Sequence, residues 1–339
     1  MHSILVEAGF ADSVWCKQIL QGLTGELKKR RESYTLDPEL LSGSVFVIGS
    51  SAPWLETQVG RCNAGGCVPV LLCSSQRKIS GGRYHCVCPD IGGSMRQLTD
   101  ALTKRWGSRL VLYGVNPSSV GDRSRREAFE QACPQGLCLE NRGSLADCFA
   151  AFLPLLEKTD AVLCANGFAA VSLYRRLRAM GREKPIISCA QTLLCSRHQG
   201  AITSVDMNYP TFGKTALAVA DLARKHAQIS ELTVTVRWRV EGVSSDALPA
   251  VVSSVPTDRF YDDSELQQML KVENLLSACD DTDTRLVSML LSGESYAAMA
   301  NACFLTEGAV KYRVRNMRNI CACTDREDLE KLLRTYLPQ

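Results

Sequence analysis

The segments SILVEAG, SVFVIGS, VPVLLC, YHCVCP, RLVLYGV, AVLCAN and PIISCA are near-continuous apolar runs recurring between residue 3 and residue 190. A strand with one wet face alternates apolar and polar residues; a strand covered on both faces need not. These runs therefore predict parallel sheets with helices on either side. The intervening segments supply the helices. Residues 14–30 put Trp15, Ile19, Leu20, Leu23 and Leu27 at helical spacing. Further helices are expected at 54–61, 94–106, 122–132, 144–156, 168–179 and 209–225, with Ser144 and Asp147 in an S-x-x-D cap. AITSVDM and ELTVTVRWRV complete the series. These strands are too many for one compact sheet. The expected fold class is α/β, with two doubly wound lobes that bind ligands beyond the carboxyl ends of their strands.

A chain of 339 residues has room for two or three globular units. Its 39 Lys and Arg stand against 36 Asp and Glu, so any nucleic-acid contact must come from a local patch. Sixteen cysteines lie mostly inside apolar runs, where Cys acts as a small buried hydrophobe. The opening MHSILVEAGFADSVW lacks the basic start and apolar core of a secretion signal, and no apolar run reaches membrane-spanning length. A cytoplasmic protein without disulfides or membrane contact is expected. HCVC (His85, Cys86, Cys88) and CAC (Cys321, Cys323) have no second ligand pair at zinc spacing, so no metal or cofactor is expected. In a strand, Cys86 and Cys88 share one face. The chain carries no H-E-x-x-H, G-x-S-x-G or G-x-x-x-x-G-K-[ST] string and no complete dinucleotide fingerprint, which argues against an enzyme.

Arg125 draws attention on charge spacing. Arg123 can pair with Glu127 and Arg126 with Glu130 at i,i+4, while Arg125 has Phe129 there and only Asp122 nearby. Its fork is the one left for a polar ligand. The surrounding strings resemble the sensor core of the lac repressor family, itself similar to periplasmic sugar-binding proteins. ILVEAGFADSVWCKQILQGLTGELKKR resembles the family's first strand, ligand loop and helix, and NPSSVGDRSRREAFEQA its Ser-rich loop and Arg-containing helix. DAVLCANGFAAVSLYRRLRAMG and AITSVDMNYPTFGKTALAVADLA resemble later segments. The resemblance implies a two-lobed, periplasmic-binding-protein-like sensor over residues 1–248, with Phe10, Asp12, Ser50, Ser51, Arg125, Asn166 and Gln191 binding a small-molecule effector, sugar-like or otherwise. Two family carboxylates are missing: the usual Asn-Asp reads Asn166-Gly167, and SCAQT offers only Gln191. Sugar hydroxyls donate well to carboxylates, so the effector need not be a simple sugar.

After a Ser/Val/Pro-rich stretch the α/β pattern stops. Residues 249–278 are expected to form a linker and a connecting helix, capped by Ser264 and Gln267, that joins the domains or pairs with its copy in a dimer. Residues 279–339 then read as short helices. Helix, tight turn FLTE and helix, with Ala297, Ala298 and Ala300 at the contact, suit a helix-turn-helix. Thr306 is a good N-cap for its second helix, and Thr324 with Glu327 for the last one. On the second helix Val310, Val314 and Met317 form a buried stripe; Lys311, Arg315 and Arg318 repeat one position later, flanked by Arg313. A basic ridge beside an anchoring one suits a major groove. SGESYAAMANACFLTEGAVKYRVRNM also resembles the LuxR-type helix-turn-helix at Gly293, Met299-Ala300, Leu305, Thr306-Glu307 and Val310-Lys311. That resemblance implies double-stranded DNA as partner, a homodimer, Lys311 on DNA, Arg313, Arg315 and Arg318 near phosphates or bases, and Thr306 and Glu307 setting the helix entry. In the lac repressor family the reader is N-terminal; here the C-terminal unit is expected to take its place. The alternative is a small-molecule binding protein whose last helices serve dimer or partner contacts without DNA.

Overall fold

The structure is a computed structural model that describes residues 1–73, 79–190, 192–198, 200–226, 228–239 and 263–338. Residues 249–262 of the expected linker lie outside the described residues.

The first lobe carries β1 (His2–Val6), α1 (Val14–Lys29), β2 (Tyr34–Thr35), β3 (Val45–Gly49), α2 (Ala52–Ala64), β4 (Val70–Cys73) and β5 (His85–Pro89). The chain then crosses to the second lobe. There it forms α3 (Ile91–Trp106), β6 (Leu110–Val115), α4 (Val120–Ala132), β7 (Leu137–Glu140), α5 (Leu145–Phe152), β8 (Ala161–Cys164), α6 (Gly167–Ala179), β9 (Ile186–Ser188), α7 (Leu193–Ser196) and β10 (Ile202–Ser204). It returns through α8 (Tyr209–Lys225) and β11 (Thr233–Val236). The sheets run β2-β1-β3-β4-β5-β11 and β7-β6-β8-β9-β10, and every strand pair in them is parallel. The two windings are the same, with β6 to β10 repeating the order of β1 to β5.

The apolar runs do what their lack of alternation implies. In the first sheet Ile4, Phe46 and Ile48 enter one core and Leu5, Val45 and Val47 the other, on opposite faces. Cys86 and Cys88 share the second of these faces, as expected of strand neighbours. Helices α1 and α8 meet at glycines: a Cβ on Gly22 would come 2.1 Å from the Pro210 carbonyl oxygen, and one on Gly213 2.2 Å from the Leu23 nitrogen. The second sheet has its own core on one face, including Leu110, Leu112, Leu163 and Ile187.

The other face of the second sheet is different. Its Val111, Tyr113, Val162 and Cys164 belong to a core that continues into the C-terminal helices. These are α9 (Ser264–Ala278), α10 (Asp281–Leu291), α11 (Tyr296–Cys303), α12 (Glu307–Cys321) and α13 (Arg326–Tyr336). Leu266, Met269, Val272, Leu275 and Leu276 of α9 are buried in that core. Of the two roles expected of α9, joining the domains or pairing with its copy, this burial fits the first: its apolar face is covered by this chain. Two caps also shift by one residue. Asp263 caps α9 by accepting from the Glu265 amide, and Asp325 caps α13 by accepting from Asp328. In each case a carboxylate adjacent to the expected hydroxyl takes the cap.

Candidate ligand cleft and nucleic-acid interface

In each sheet the strand order reverses beside the first strand, between β1 and β3 and between β6 and β8. Such a reversal leaves a crevice at the carboxyl ends of the strands. At the first reversal stands Glu7, which spacing alone did not single out. It is 8 % exposed. One carboxylate oxygen accepts from the amides of Ser50 (2.8 Å) and Ser51 (3.1 Å), and the Ser51 hydroxyl donates to the other. Ser51 is the N-cap of α2, so Glu7 occupies the positive end of that helix. Gly49 makes room: a Cβ there would lie 2.6 Å from the Trp54 ring and 2.9 Å from Glu7 Oε2. Phe10 is half-buried, its ring 5.7 Å from that of Trp15. Asp12 is exposed and pairs with Lys17 at 3.2 Å. Thus Ser50 and Ser51 gather around Glu7, while Asp12 faces a lysine at the surface.

At the second reversal, Asn116 follows β6 and Asn166 follows β8. Arg125 donates from Nη1 to Asp122 Oδ1 (2.6 Å), and Asp122 Oδ2 accepts from the Asn116 amide (3.1 Å). The Arg125 side chain is 12 % exposed and that of Asp122 6 %. Burial pulls the Arg125 guanidinium down, but Asp122, together with Tyr209 and Cys189, holds the group above its ordinary value. Its charge reaches Cys189, just past β9, where burial pushes the thiol up to about 12 against the pull of Arg125. It also opposes the upward push of burial on the Tyr209 hydroxyl. Arg126 pairs with Glu130 as spacing predicts, whereas Arg123 turns to the carbonyls of Pro117 and Ser118.

Two polar groups here are buried and meet no protein partner among the described residues: Arg125 Nε and both side-chain polar atoms of Asn141. Asn141 follows β7, is 3 % exposed, and donates its backbone N–H to the Val115 carbonyl (2.8 Å) beside Asn116. Buried polar atoms normally have partners, and these open ones lie at the carboxyl ends of the second sheet. Sequence reasoning missed Asn141, because β7 is only four residues long and lies at the edge of its sheet. Asn166 accepts from the Ala169 amide (3.0 Å) and caps α6. A Cβ on Gly167 would lie 2.6 Å from Thr192 Oγ1, which is a physical reason for glycine where the lac repressor pattern has aspartate. Gln191 lies outside the described residues.

Helix α12 buries Val310, Val314, Met317 and Cys321 along one face. Each contributes roughly 1.5–3 kcal/mol relative to exposure, as an upper range. Thr306 caps it by accepting from the Ala309 amide (3.2 Å), and Glu307 opens its first turn. The expected ridge of four cations narrows to two. Lys311 and Arg315 are exposed; Lys311 lies 3.5 Å from Glu307 and 5.7 Å from the Tyr296 ring, and Arg315 5.5 Å from the Tyr312 ring. Arg313 is held by Asp283 (2.8 Å) and Asp280 (2.9 Å), which raise its pKa. Arg318 is half-buried and donates to the Thr324 carbonyl. A residue between two stripes of a helix falls within reach of the neighbouring helix, which spacing on one helix does not show. Asp280 and Asp283 are themselves the reciprocal cap of α10, so Arg313 locks α12 against the start of α10.

No family model matches the chain, and no curated protein sequence matches it. Solved structures do. A xylose-binding transcription activator, XylR, superposes with a TM-score of 0.52 at 14 % identity over 98 % of each chain. A LacI family transcriptional regulator from Enterococcus faecalis V583 with bound ribose gives 0.53 at 16 %, over 73 % of this chain and 99 % of its own. GanP, a glucose-galactose binding protein from Geobacillus stearothermophilus, gives 0.54 at 13 %, over 70 % and 95 %. The fold is the two-lobed one these proteins share. Among the described residues no helix is long and apolar enough to cross a membrane, and no group of three His, Cys, Asp or Glu is placed to hold a metal.

Proposed function

We propose that the chain is a cytoplasmic, ligand-responsive transcription regulator, in which a small polar molecule in the cleft between the lobes modulates a C-terminal, LuxR-type helix-turn-helix. The observation that carries this reading is the solvent face of α12. Lys311 and Arg315 lie one turn apart on a capped helix whose adjacent face is buried. Tyr312, Asn316 and Asn319 share the exposed side and offer polar atoms to base edges. Arg313 then acts on DNA indirectly, by fixing α12 against α10. The open Arg125 Nε and Asn141 amide support a ligand with both acceptor and donor groups, a description that hydroxylated molecules meet. A homodimer would give two readers and the affinity one short helix lacks.

The test is duplex binding over a range of salt. A reader predicts that log affinity falls linearly with log salt, by about 0.9 per phosphate contact. Binding that is absent, or indifferent to salt, removes the proposal. The second reading, a binding protein whose C-terminal helices receive a protein partner, draws on exposed apolar groups. Phe304 is 94 % exposed and Tyr312 57 %, and a groove of about 480 Å³ runs between α9, α10 and α12, lined by Leu275, Cys279, Met317 and Ile320. The salt series separates the two.

A further inference from the structure

Helix α9 lies between the second lobe and the reader, and three of its carboxylates point into the lobe. Asp263 accepts from the Leu145 amide at the start of α5 (2.7 Å). Glu265 accepts from the Ser172 hydroxyl (3.0 Å), Arg175 (3.3 Å) and Arg176 (2.6 Å), all on α6. Glu273 is the deepest, fully buried, and accepts from the amides of Leu193 (2.7 Å) and Leu194 (2.6 Å). Those amides open α7, which begins directly after the loop at the carboxyl end of β9.

The contacts continue in both directions. Thr192 caps α7 by accepting from the Cys195 amide (3.0 Å), and it packs so closely on Gly167 that no Cβ fits between them. Asn166, a cleft residue, is next in the chain. Two residues before Glu273, the Lys271 carbonyl accepts from the Cys321 thiol at the end of α12 (3.8 Å). Leu275 and Leu276 share the core of Val310, Val314 and Met317. Each step from Gly167 to the base of α12 along this path is a direct contact or a turn of one helix. If α7 and α9 separated, a buried carboxylate and two helix-terminal amides would lose their partners together, which is among the most costly local changes available to a protein.

We propose that Glu273 is the positioning residue that links the cleft to the reader: displacement of the Gly167–Thr192 contact moves α7, and Glu273 makes α9 and α12 move with it. The inference rests on the DNA-reading function proposed above and names its route. Coupling is reciprocal, so DNA on α12 must be felt at α7 even when no effector is known.

The experiment uses the full chain and a pool of random-sequence duplexes, with hydrogen exchange read at the Leu193 and Leu194 amides. Duplex binding is expected to change exchange there by at least about fivefold, the lower end of ordinary coupling. Glu273→Gln fills the same volume and is expected to bind duplex while losing that change. Should Glu273→Gln fail to fold, Glu273→Asp, which keeps the charge but withdraws it, is read in the same way. As a second measurement, Gly167→Ala is expected to alter duplex affinity in the wild-type chain and not in Glu273→Gln, a coupling that a merely stabilising Glu273 would not produce. Duplex binding without any change at Leu193 and Leu194 overturns the link and leaves the reader intact. A change that persists in Glu273→Gln overturns the role of Glu273. Absence of duplex binding overturns both proposals.

Discussion

The two lobes are wound alike and finished differently. The first covers both faces of its sheet with its own helices, and its crevice carboxylate, Glu7, is already satisfied by Ser50 and Ser51. The second leaves Arg125 Nε and the Asn141 amide open at its crevice, and lends one face of its sheet to a core shared with α9 through α13. The same strand order therefore serves as a closed wall in one lobe and as an open, connected one in the other. On the function proposed above, a signal starting at Arg125 or Asn166 would have only one lobe to cross before it reached α12.

The sharpest way to break this comparison is to cut each core in turn. Leu275 of α9 and Leu23 of α1 are both fully buried, so alanine at either should cost about 2–5 kcal/mol. The costs should appear in different places. Leu275→Ala is expected to speed amide exchange in α12 and in β8 together and spare β3; Leu23→Ala should do the reverse. If Leu275→Ala loosens the reader while β8 keeps its protection, the shared core is not a cooperative unit.

The α9 contact itself responds to pH. Burial raises Glu273 from 4.5 to about 7, against the pull of the two amides. Its folded pKa lies above its unfolded one, so its contribution is fully present below pH 4.5 and is lost as pH rises through about 7. The loss is about 3 kcal/mol. Nearby groups behave otherwise. Cys195, pushed by burial to about 11, stays protonated throughout. His198, lowered by burial and bonded to the Tyr336 carbonyl (2.8 Å), contributes above pH 6.5 and loses that contribution as pH falls through its lowered value. Denaturant melts of wild type and Glu273→Gln at several pH values cancel the histidine and isolate the glutamate. A constant difference between pH 4 and 8 would contradict the buried carboxylate.

Most of the scaffold is legible in the amino-acid order, and the reason lies in strands such as VFVIG and LVLYGV. Apolar runs so short and unbroken, set between amphipathic helices, suit strands covered on both faces. The unread strands, β2 and β7, are short edges: Leu137 is exposed, and the residues after it are only partly buried. The crevice was half legible. Arg125 stood out by spacing, yet Glu7, Asn141 and Glu273 acquire their meaning only from groups 43 to 80 residues away or from partners they lack. Glu273 is the plainest case. It falls on the same helix face as Leu266, Met269 and Leu276, and only the two amides of α7 account for a carboxylate there. Arg313 failed in the opposite sense, reading as a free cation until Asp280 and Asp283 came within reach.

If the proposed function holds, substitutions in the second-lobe crevice and on α12 should have separate effects. Lys311→Ala or Arg315→Ala should weaken duplex binding and reduce the salt slope by about one unit each. Arg125→Ala, on the crevice of the second lobe, should leave duplex binding and its salt slope unchanged and remove the response to effector. Filter binding across a salt series reads the first, and thermal-shift screening of the full chain against small metabolites finds the ligand for the second. Arg125→Ala and Lys311→Ala with the same phenotype would show that the two sites are not distinct.

The smallest expected effect tests how far the shared core transmits. Phe304 ends α11 in the left-handed region, at φ 55°, with 94 % of its surface exposed. A Cβ in that conformation costs roughly 1–2 kcal/mol, and glycine gives part of that back as unfolded-chain entropy. Phe304→Gly should therefore stabilise the reader by roughly 0.5–1 kcal/mol, or about two- to fivefold slower exchange of its globally protected amides. Little packing is lost with so exposed a ring. In a reader independent of the sensor, the gain stops at α9. In a cooperative unit made of the reader and the second lobe, the amides of β8 and β9 slow by the same factor as those of α12, while β1 and β3 do not change. Because the substitution touches neither lobe directly, slower exchange in β8 can come only through the core that the second lobe shares with α9 and α12.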